Sequence, residues 1–320
     1  MTKLFKAIAA CADTKSDIEL LSGIHCEGGR VYACDLDKCA SMPNDGEYVE
    51  STSYDVNGNK RSIHKPLSDF GGASTTKPID PTTLVNGFNC ENIAAMLKPV
   101  LHSISTEKTR YYLQGVFFDT SNPHDPLTLV STDGYRLTAF DTGISVDEHR
   151  GVIVPRDAVK ILCTLNLTGD WRVEWSNSLV SFTEPKSGFN LTTKVIDGSY
   201  PDWRRVVPRN TEPYISAVAK DIAREATAFK AFSNLRWSPV KLEGLTFTAK
   251  SDGMDDKEVL MDGAQYADFP IVLNAGYLLD AARVIGKGDL VLSASDTSSP
   301  VLITSPTLPY IRQVVMSMRI

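Results

Sequence analysis

Two kinds of hydrophobic spacing alternate along the chain. From Asn89 to Ser105, apolar residues Ile93, Met96, Leu97, Val100, Leu101 and Ile104 recur at three and four positions, which predicts an amphipathic helix. Pro99 inside it predicts a kink or a break, because proline lacks an N–H and crowds the preceding turn. Weaker versions of this spacing predict helices over Lys3 to Ala12, Arg156 to Leu165, Ala219 to Leu235 and Ala275 to Ile285. Behind each helix come short runs of period two, the mark of strands with one wet face. The runs are "IELLSGIHCEGGRVYACDLD", then "YYLQGVFFDTS", "LTLVSTDG" and "YRLTAFD", then "WRVEWSN", "SLVSFTE" and "FNLTTKVID". "VKLEGLTFTAK" and the pair "DLVLSASD" and "PVLITS" follow the last two helices.

The repeating unit is one helix with three or four antiparallel strands, an α+β pattern. Five units in 320 residues give a period of about 64. That is longer than solenoid repeats and indicates duplicated half-domains, two to a domain. Counting by twos leaves the N-terminal unit alone. From Ala40 to about Val85 no convincing helix appears, and the Gly-, Pro-, Ser-, Thr- and Asn-rich composition reads as a hairpin plus linker. Boundaries near Asp80 to Leu84 and Pro208 to Glu212 divide the chain into a shortened N-terminal domain, 1–83, a middle domain, 84–209, and a C-terminal domain, 210–320.

Composition narrows the setting. A chain of 320 residues exceeds what one hydrophobic core organises. No stretch approaches the roughly 20 apolar residues of a membrane span. The start, "MTKLFKAIAACADTK", carries basic residues within its apolar part and no small-residue cleavage site, a pattern wrong for a signal peptide, and a cytoplasmic location is expected. The cysteines, Cys11, Cys26, Cys34, Cys39, Cys90 and Cys163, lack C-x-x-C spacing and read as reduced thiols, with Cys34 and Cys39 as the one candidate redox or metal pair. The histidines, His25, His64, His102, His124 and His149, fall at no metal-ligand spacing, and no cofactor or metal is expected.

The net charge of −6 would disfavour a nucleic-acid partner, but charge is not evenly spread. Within the predicted helices Lys3, Lys6, Lys98, Arg156, Lys160, Lys220, Arg224, Lys230, Arg283 and Lys287 outnumber the acidic Glu91, Asp157, Asp221, Glu225 and Asp280. The helices are basic and the remainder is acidic.

Catalytic motifs are absent. There is no phosphate-binding loop, G-x-S-x-G elbow, H-E-x-x-H or dinucleotide fingerprint. Ser131, Asp133 and Arg136 in "STDGYRLTAFD" could be drawn as nucleophile, base and oxyanion partner, but no histidine lies in the segment to relay a proton. Asp133-Gly134 between strand-like runs is first a hairpin signal.

That stretch belongs to an ordered set: "RYYLQGVFF" upstream, then "GVIVPRDAV", "KVIDGSYPDWRRVVPRN" and a terminal "VVMSMRI". The set resembles the bacterial β sliding clamp family, the processivity subunit of the replicative DNA polymerase, with its "RYYLNG", "ATDGHRLA", "VIVPRK", "DGRFPDYRRVLP" and "MPMRL". Each motif alone is weak. Together they are specific, and they cover Val85 to Ile320, about three quarters of the chain.

The resemblance implies a sliding-clamp fold of helix-plus-strand half-domains, here five units instead of six, and a head-to-tail homodimeric ring. Helices would line a hole for duplex DNA, with the ten basic residues above facing it. It also implies a pocket for the clamp-binding peptides of the replicative polymerase, the clamp loader and repair proteins. By motif its wall is Arg110, Leu113, Thr132, Gly134, Tyr135, Arg136 and Leu137, then Pro201, Arg205 and Val206, and finally Val314, Met316 and Met318. Read without the resemblance, Leu113, Leu137 and Val206 would be core and "PDWRR" a solvated turn. Tyr135 stands where the family often has His, and Ser317, where it has Pro, adds an N–H.

The second half of the first domain is missing, and in the family it supplies the strand that pairs with the partner protomer. Two functions follow from the resemblance: a shortened clamp that encircles DNA, of a kind a phage or plasmid would encode, or a non-closing regulator or decoy that binds clamp-interacting peptides or a host clamp. An unrelated enzyme on a clamp-like scaffold is a distant third.

Overall fold

The computed structural model describes residues 2–18, 21–49, 52–61, 86–122, 125–146, 151–209, 211–233, 237–250, 256–267 and 269–319. The boundary expected at Asp80 to Leu84 lies outside them. The chain gathers into two compact units, one of residues 1–101, 114–128 and 143–199, the other of 102–113, 129–142 and 200–320.

In the first unit α1 (Lys3–Ala9) precedes β1 (Ile24–Glu27), β2 (Arg30–Cys34), β3 (Lys38–Pro43) and β4 (Thr52–Tyr54). Then come β5 (Asn86–Cys90), α2 (Ile93–Leu101) and β6 (Gly115–Asp119). The next two strands, β7 (Thr128–Thr132) and β8 (Arg136–Asp141), belong to the second unit. The first unit resumes with β9 (Val152–Pro155), α3 (Arg156–Leu165), β10 (Trp171–Trp175), β11 (Leu179–Glu184) and β12 (Phe189–Lys194). An eight-stranded sheet runs β4-β1-β2-β3-β12-β11-β10-β5. Its halves join edge to edge where β3 pairs antiparallel with β12, Lys38 opposite Thr193 and Ser41 opposite Asn190.

The alternation of the strands buries a set of aromatic rings. Phe118 meets Phe88, Trp175 and Phe182 at centroid distances of 6.3, 6.5 and 6.5 Å. Trp171 and Phe189 make an edge contact at 6.2 Å. Such tilted and edge geometries suit the ring quadrupoles and stabilise by about 1 kcal/mol beyond burial.

Three sequence expectations need correction here. The helix expected from Asn89 to Ser105 is only α2, because its first residues belong to β5, where Asn89 and Cys90 pair with Arg172 and Trp171. Pro99 does not break α2, which ends two residues beyond it. The missing N–H removes one bond from a last turn that is about to stop. The helix expected over Lys3 to Ala12 likewise ends at Ala9, with Thr2 capping it by accepting the Phe5 N–H.

The second unit contains a 3-10 helix over Lys108–Leu113, where "YYL" was expected to be strand. After β7 and β8 come β13 (Glu212–Val218), α4 (Ala219–Phe232), β14 (Pro239–Glu243), β15 (Thr246–Ala249) and β16 (Lys257–Leu260). β17 (Gly263–Gln265), β18 (Pro270–Asn274), α5 (Ala275–Ile285), β19 (Asp289–Ala294), β20 (Val301–Thr304) and β21 (Ile311–Val315) complete it. Strands run β17-β13-β19-β20-β21-β8-β7, and a second sheet runs β16-β15-β14-β18.

α4 and α5 pack together over a core that includes Tyr214, Phe229, Phe247 and Leu279. The fully buried Tyr214 hydroxyl donates to Phe269 C=O at 2.7 Å and accepts the Gly244 N–H at 2.9 Å, so this buried polar group is satisfied. Asn274 starts α5 by accepting the Gly276 and Tyr277 N–H groups.

Candidate functional site

The hairpin between β7 and β8 turns on Gly134 and Tyr135. Asp133 donates its N–H to Arg136 C=O at 3.3 Å, and its Oδ1 accepts the N–H groups of Tyr135 at 3.0 Å and Arg136 at 3.1 Å. Gly134 has φ +89°, and a Cβ there would stand 2.4 Å from Arg110 Nη1. Glycine is therefore needed twice, for the left-handed backbone and for the guanidinium laid across the turn. Thr132 closes the base, its hydroxyl donating to Arg136 C=O at 2.6 Å.

Arg136 is turned inward. Its Nε donates to Asp133 Oδ2 at 2.9 Å, Nη1 to Asp280 Oδ2 at 2.6 Å and Nη2 to His102 C=O at 2.5 Å, with the guanidinium 4.4 Å from the Tyr277 ring centroid. It clasps β8 to α5 and to the segment after α2. Burial, and then the Arg136 charge, hold the His102 imidazole down to about 4, so it is neutral at pH 7.

The residues expected to line a pocket divide into buried and exposed ones. Leu113, Thr132, Leu137 and Val314 are buried, and Leu137 and Val314 are direct cross-strand partners. Tyr135 is 47% exposed and Met316 38% exposed, and Val206, Pro201, Arg205 and Gly134 also face solvent. Met316 donates its N–H to Tyr135 C=O at 2.9 Å and Met318 to Val272 C=O at 2.8 Å, so the C-terminal segment is tied between the hairpin and β18. The N–H that Ser317 adds is joined by its hydroxyl, which donates to Ser299 C=O at 2.6 Å.

The "PDWRR" run is not a freely solvated turn, because Trp203 is buried with Arg204 and Arg312 over its ring at 4.6 and 5.5 Å. Arg312 is itself held by both Asp141 carboxylate oxygens, at 2.7 and 2.8 Å. Sequence reasoning missed Trp237, half-exposed and 5.4 Å from the Tyr135 ring. A lone tryptophan after a helix gives no signal of its partner.

The basic residues separate by unit. In the first, Lys3 and Lys6 of α1 and Lys160 of α3 line one groove of about 290 Å³. Lys38 from the start of β3 joins them, with Asp157 as the acidic member. Lys38 was missed because it lies on a strand, outside the helices that carried the charge pattern. Lys98 is exposed on α2 and donates to Asn166 at 2.6 Å, while Arg156 is half-buried at the start of α3. In the second unit Lys220, Arg224 and Lys230 on α4, Arg283 on α5 and Lys287 just after it are exposed. Of these, Arg224 is engaged by Asp221 and Glu225 at 2.5 and 2.8 Å.

The catalytic alternative loses its geometry. Ser131 is fully buried against Ser103 at 2.5 Å, and Asp133 is committed to the turn. Among the described residues no helix is long and apolar enough to cross a membrane, and no group of three His, Cys, Asp or Glu side chains could hold a metal ion.

Residues 88–202 match the family model for the central domain of the DNA polymerase III beta subunit. A β sliding clamp of Proteus mirabilis is 30% identical over 265 residues, covering 80% of this chain and 70% of that protein. One of Caulobacter vibrioides is 29% identical over 274 residues, covering 80% and 68%. The solved sliding clamp of Bartonella birtlesii, bound to griselimycin, superposes with a TM-score of 0.84 at 24% identity, over 99% of this chain and 96% of that one. A DNA polymerase III subunit beta of Pseudomonas aeruginosa gives 0.81 at 19% identity, over 99% and 97%.

Proposed function

The chain belongs to the β sliding clamp family, and from that premise we propose that it works as a DNA sliding clamp with a peptide-docking pocket in its second unit. Its DNA contact is electrostatic and blind to sequence. Lysines and arginines on helix faces hold phosphates loosely enough to slide, while a topological link supplies persistence. The groove of Lys3, Lys6, Lys38 and Lys160 is one such face, and the exposed Lys220, Lys230, Arg283 and Lys287 form another.

The observation that carries the docking half is the pairing of an apolar floor, Leu113, Leu137 and Val314, with an exposed rim of Tyr135, Val206 and Met316. Flexible Met side chains at such a rim accommodate varied Leu and Phe anchors of partner peptides. Arg110, Arg205 and Thr132 would orient the peptide backbone, and Arg136 would hold the hairpin beneath it. Polymerase and clamp-loader tails are the partners that this chemistry fits.

Ring closure would use sheet edges. β16 ends one sheet with Leu260 76% exposed, and such an edge is a ready template for another strand. The organisation we read is three clamp domains, 1–83, 84–209 and 210–320, with five half-domains and a shortened first domain.

Two measurements test this. Leu113→Ala with Met318→Ala should weaken binding of a polymerase-tail peptide about tenfold or more, and unchanged affinity would remove the pocket. The loaded protein should stay on circular DNA and slip from linearised DNA. Equal retention on both would remove the ring.

A further inference from the structure

Three of the cysteines gather where α1 meets the hairpin of β2 and β3. Cys34 and Cys39 are direct cross-strand partners. Just beyond them the Asp35 N–H bonds to Lys38 C=O at 3.1 Å, closing a two-residue turn. Asp35 and Lys38 are thus the hydrogen-bonded pair, and Cys34 and Cys39 the adjoining non-hydrogen-bonded one. In such pairs Cα atoms approach to about 4.5 Å and the side chains leave the sheet on one face, inside the roughly 4.4–6.8 Å that a disulfide spans.

Their exposures differ. Cys34 is 7% exposed, while Cys39 is half-buried and reached by solvent. The hydrogen bond with Cys39, and then burial, push the Cys34 thiol up, so it is a protonated partner at neutral pH. Cys11, at the end of α1, is sealed from solvent, and burial pushes its thiol up as well.

We propose that Cys34 and Cys39 form a peroxide-oxidisable dithiol, in which Cys39 meets the hydroperoxide and Cys34 resolves it. The Cys39 sulfur, as thiolate, attacks one peroxide oxygen. The O–O bond breaks, Cys39 becomes a sulfenic acid, and the other oxygen leaves as an alcohol, or as water from hydrogen peroxide, after taking a proton from solvent. The Cys34 sulfur then attacks the Cys39 sulfur, the S–O bond breaks, and water departs with the Cys34 proton. Two thiols supply the two electrons that the peroxide accepts. The bond restrains the turn that carries Lys38 into the basic groove beside α1.

Equimolar hydrogen peroxide added to the reduced full-length chain, followed by peptide mapping without reductant, tests the assignment. The expected product is a Cys34–Cys39 link within one chain, with two thiols lost and both recovered in dithiothreitol. Cys34→Ser, or Cys34→Ala if the serine variant does not fold, should leave a Cys39 sulfenic acid that dimedone traps. Cys39→Ser should slow thiol loss about tenfold, because the remaining thiols of the cluster are sealed. A sulfinic acid on Cys39 with Cys34 still free, a link from Cys39 to Cys11, or links only between chains would each overturn the proposal.

Discussion

The turns at Asp35–Lys38 in the first unit and Asp133–Arg136 in the second share one plan. In each, the aspartate Oδ1 accepts the N–H groups two and three residues on, at 3.0 and 2.9 Å in the first and 3.0 and 3.1 Å in the second. In each, the aspartate N–H bonds back across the turn and its carboxylate pairs with a basic residue three positions later. They differ in both central residues, Leu36-Asp37 against Gly134-Tyr135, and in the cation, Lys38 against Arg136. A lysine presents one ammonium, and here it pairs with its own turn. An arginine presents a fork, and Arg136 extends the same turn to Asp280, to His102 C=O and to the Tyr277 ring. The difference teaches that the cation of a shared local turn decides whether its charge stays within the turn or reaches distant elements.

The largest test of that contrast is to delete each cation. Arg136→Ala removes charge-assisted bonds to Asp133, to Asp280 and to the His102 C=O at once, with Asp133 keeping its two backbone donors, and should cost about 3–5 kcal/mol. Lys38→Ala removes a single charge-assisted bond while Asp35 keeps two backbone donors, and should cost about 1–2 kcal/mol. Urea unfolding followed by tryptophan fluorescence reads both. Equal costs would mean that the extra contacts of Arg136 carry no stability.

Next in size is a pH effect confined to the second unit. The folded chain keeps His102 neutral down to about pH 4, through burial and then the charge of Arg136, against 6.5 for a free imidazole. Asp280 and Asp133 oppose the shift, and Thr138 Oγ1 lies 3.3 Å from Nε2. Between those values the unfolded state binds more protons. Stability is therefore full above about pH 6.5 and falls as pH drops toward 4, by about 1.4 kcal/mol per unit at the steepest. Urea midpoints at pH 7 and pH 5 should differ, and His102→Gln should flatten the difference. An unchanged slope in the variant would assign the acid sensitivity elsewhere.

Much of this was legible in the sequence, and what was not has physical reasons. α3 and α5 have the bounds their apolar spacing predicted, because nothing in their neighbourhood competes with helix. Only the last two residues of β5, Asn89 and Cys90, fall within the expected helix, because no breaker separates the strand from α2. Asp133-Gly134 announced its turn, whereas Asp35-Leu36 did not, since leucine is no turn residue and only the folded hairpin imposes φ +76° on it. The family motifs singled out the residues that we propose for the docking pocket. The inward clasp of Arg136 stayed hidden because Asp280 is 144 positions away, and no local spacing reports such a contact.

The smallest expected effect is a difference of sign at the first central residue. Leu36 holds φ +76° with a side chain 59% exposed, so it carries left-handed strain of about 1 kcal/mol and gains little from burial. Leu36→Gly relieves the strain, and the added freedom of the unfolded chain takes back roughly 0.5–1 kcal/mol, leaving a gain of a few tenths. At Gly134 the same exchange runs backwards. Gly134→Ala introduces the strain, and its Cβ would stand 2.4 Å from Arg110 Nη1 and displace the guanidinium, for a loss of about 1–2 kcal/mol. If the two turns are one device, the glycine is favoured in both and is used only where a second side chain must lie across it. A loss on Leu36→Gly would show instead that the exposed leucine has contacts of its own and that the likeness of the two turns ends at their hydrogen bonds.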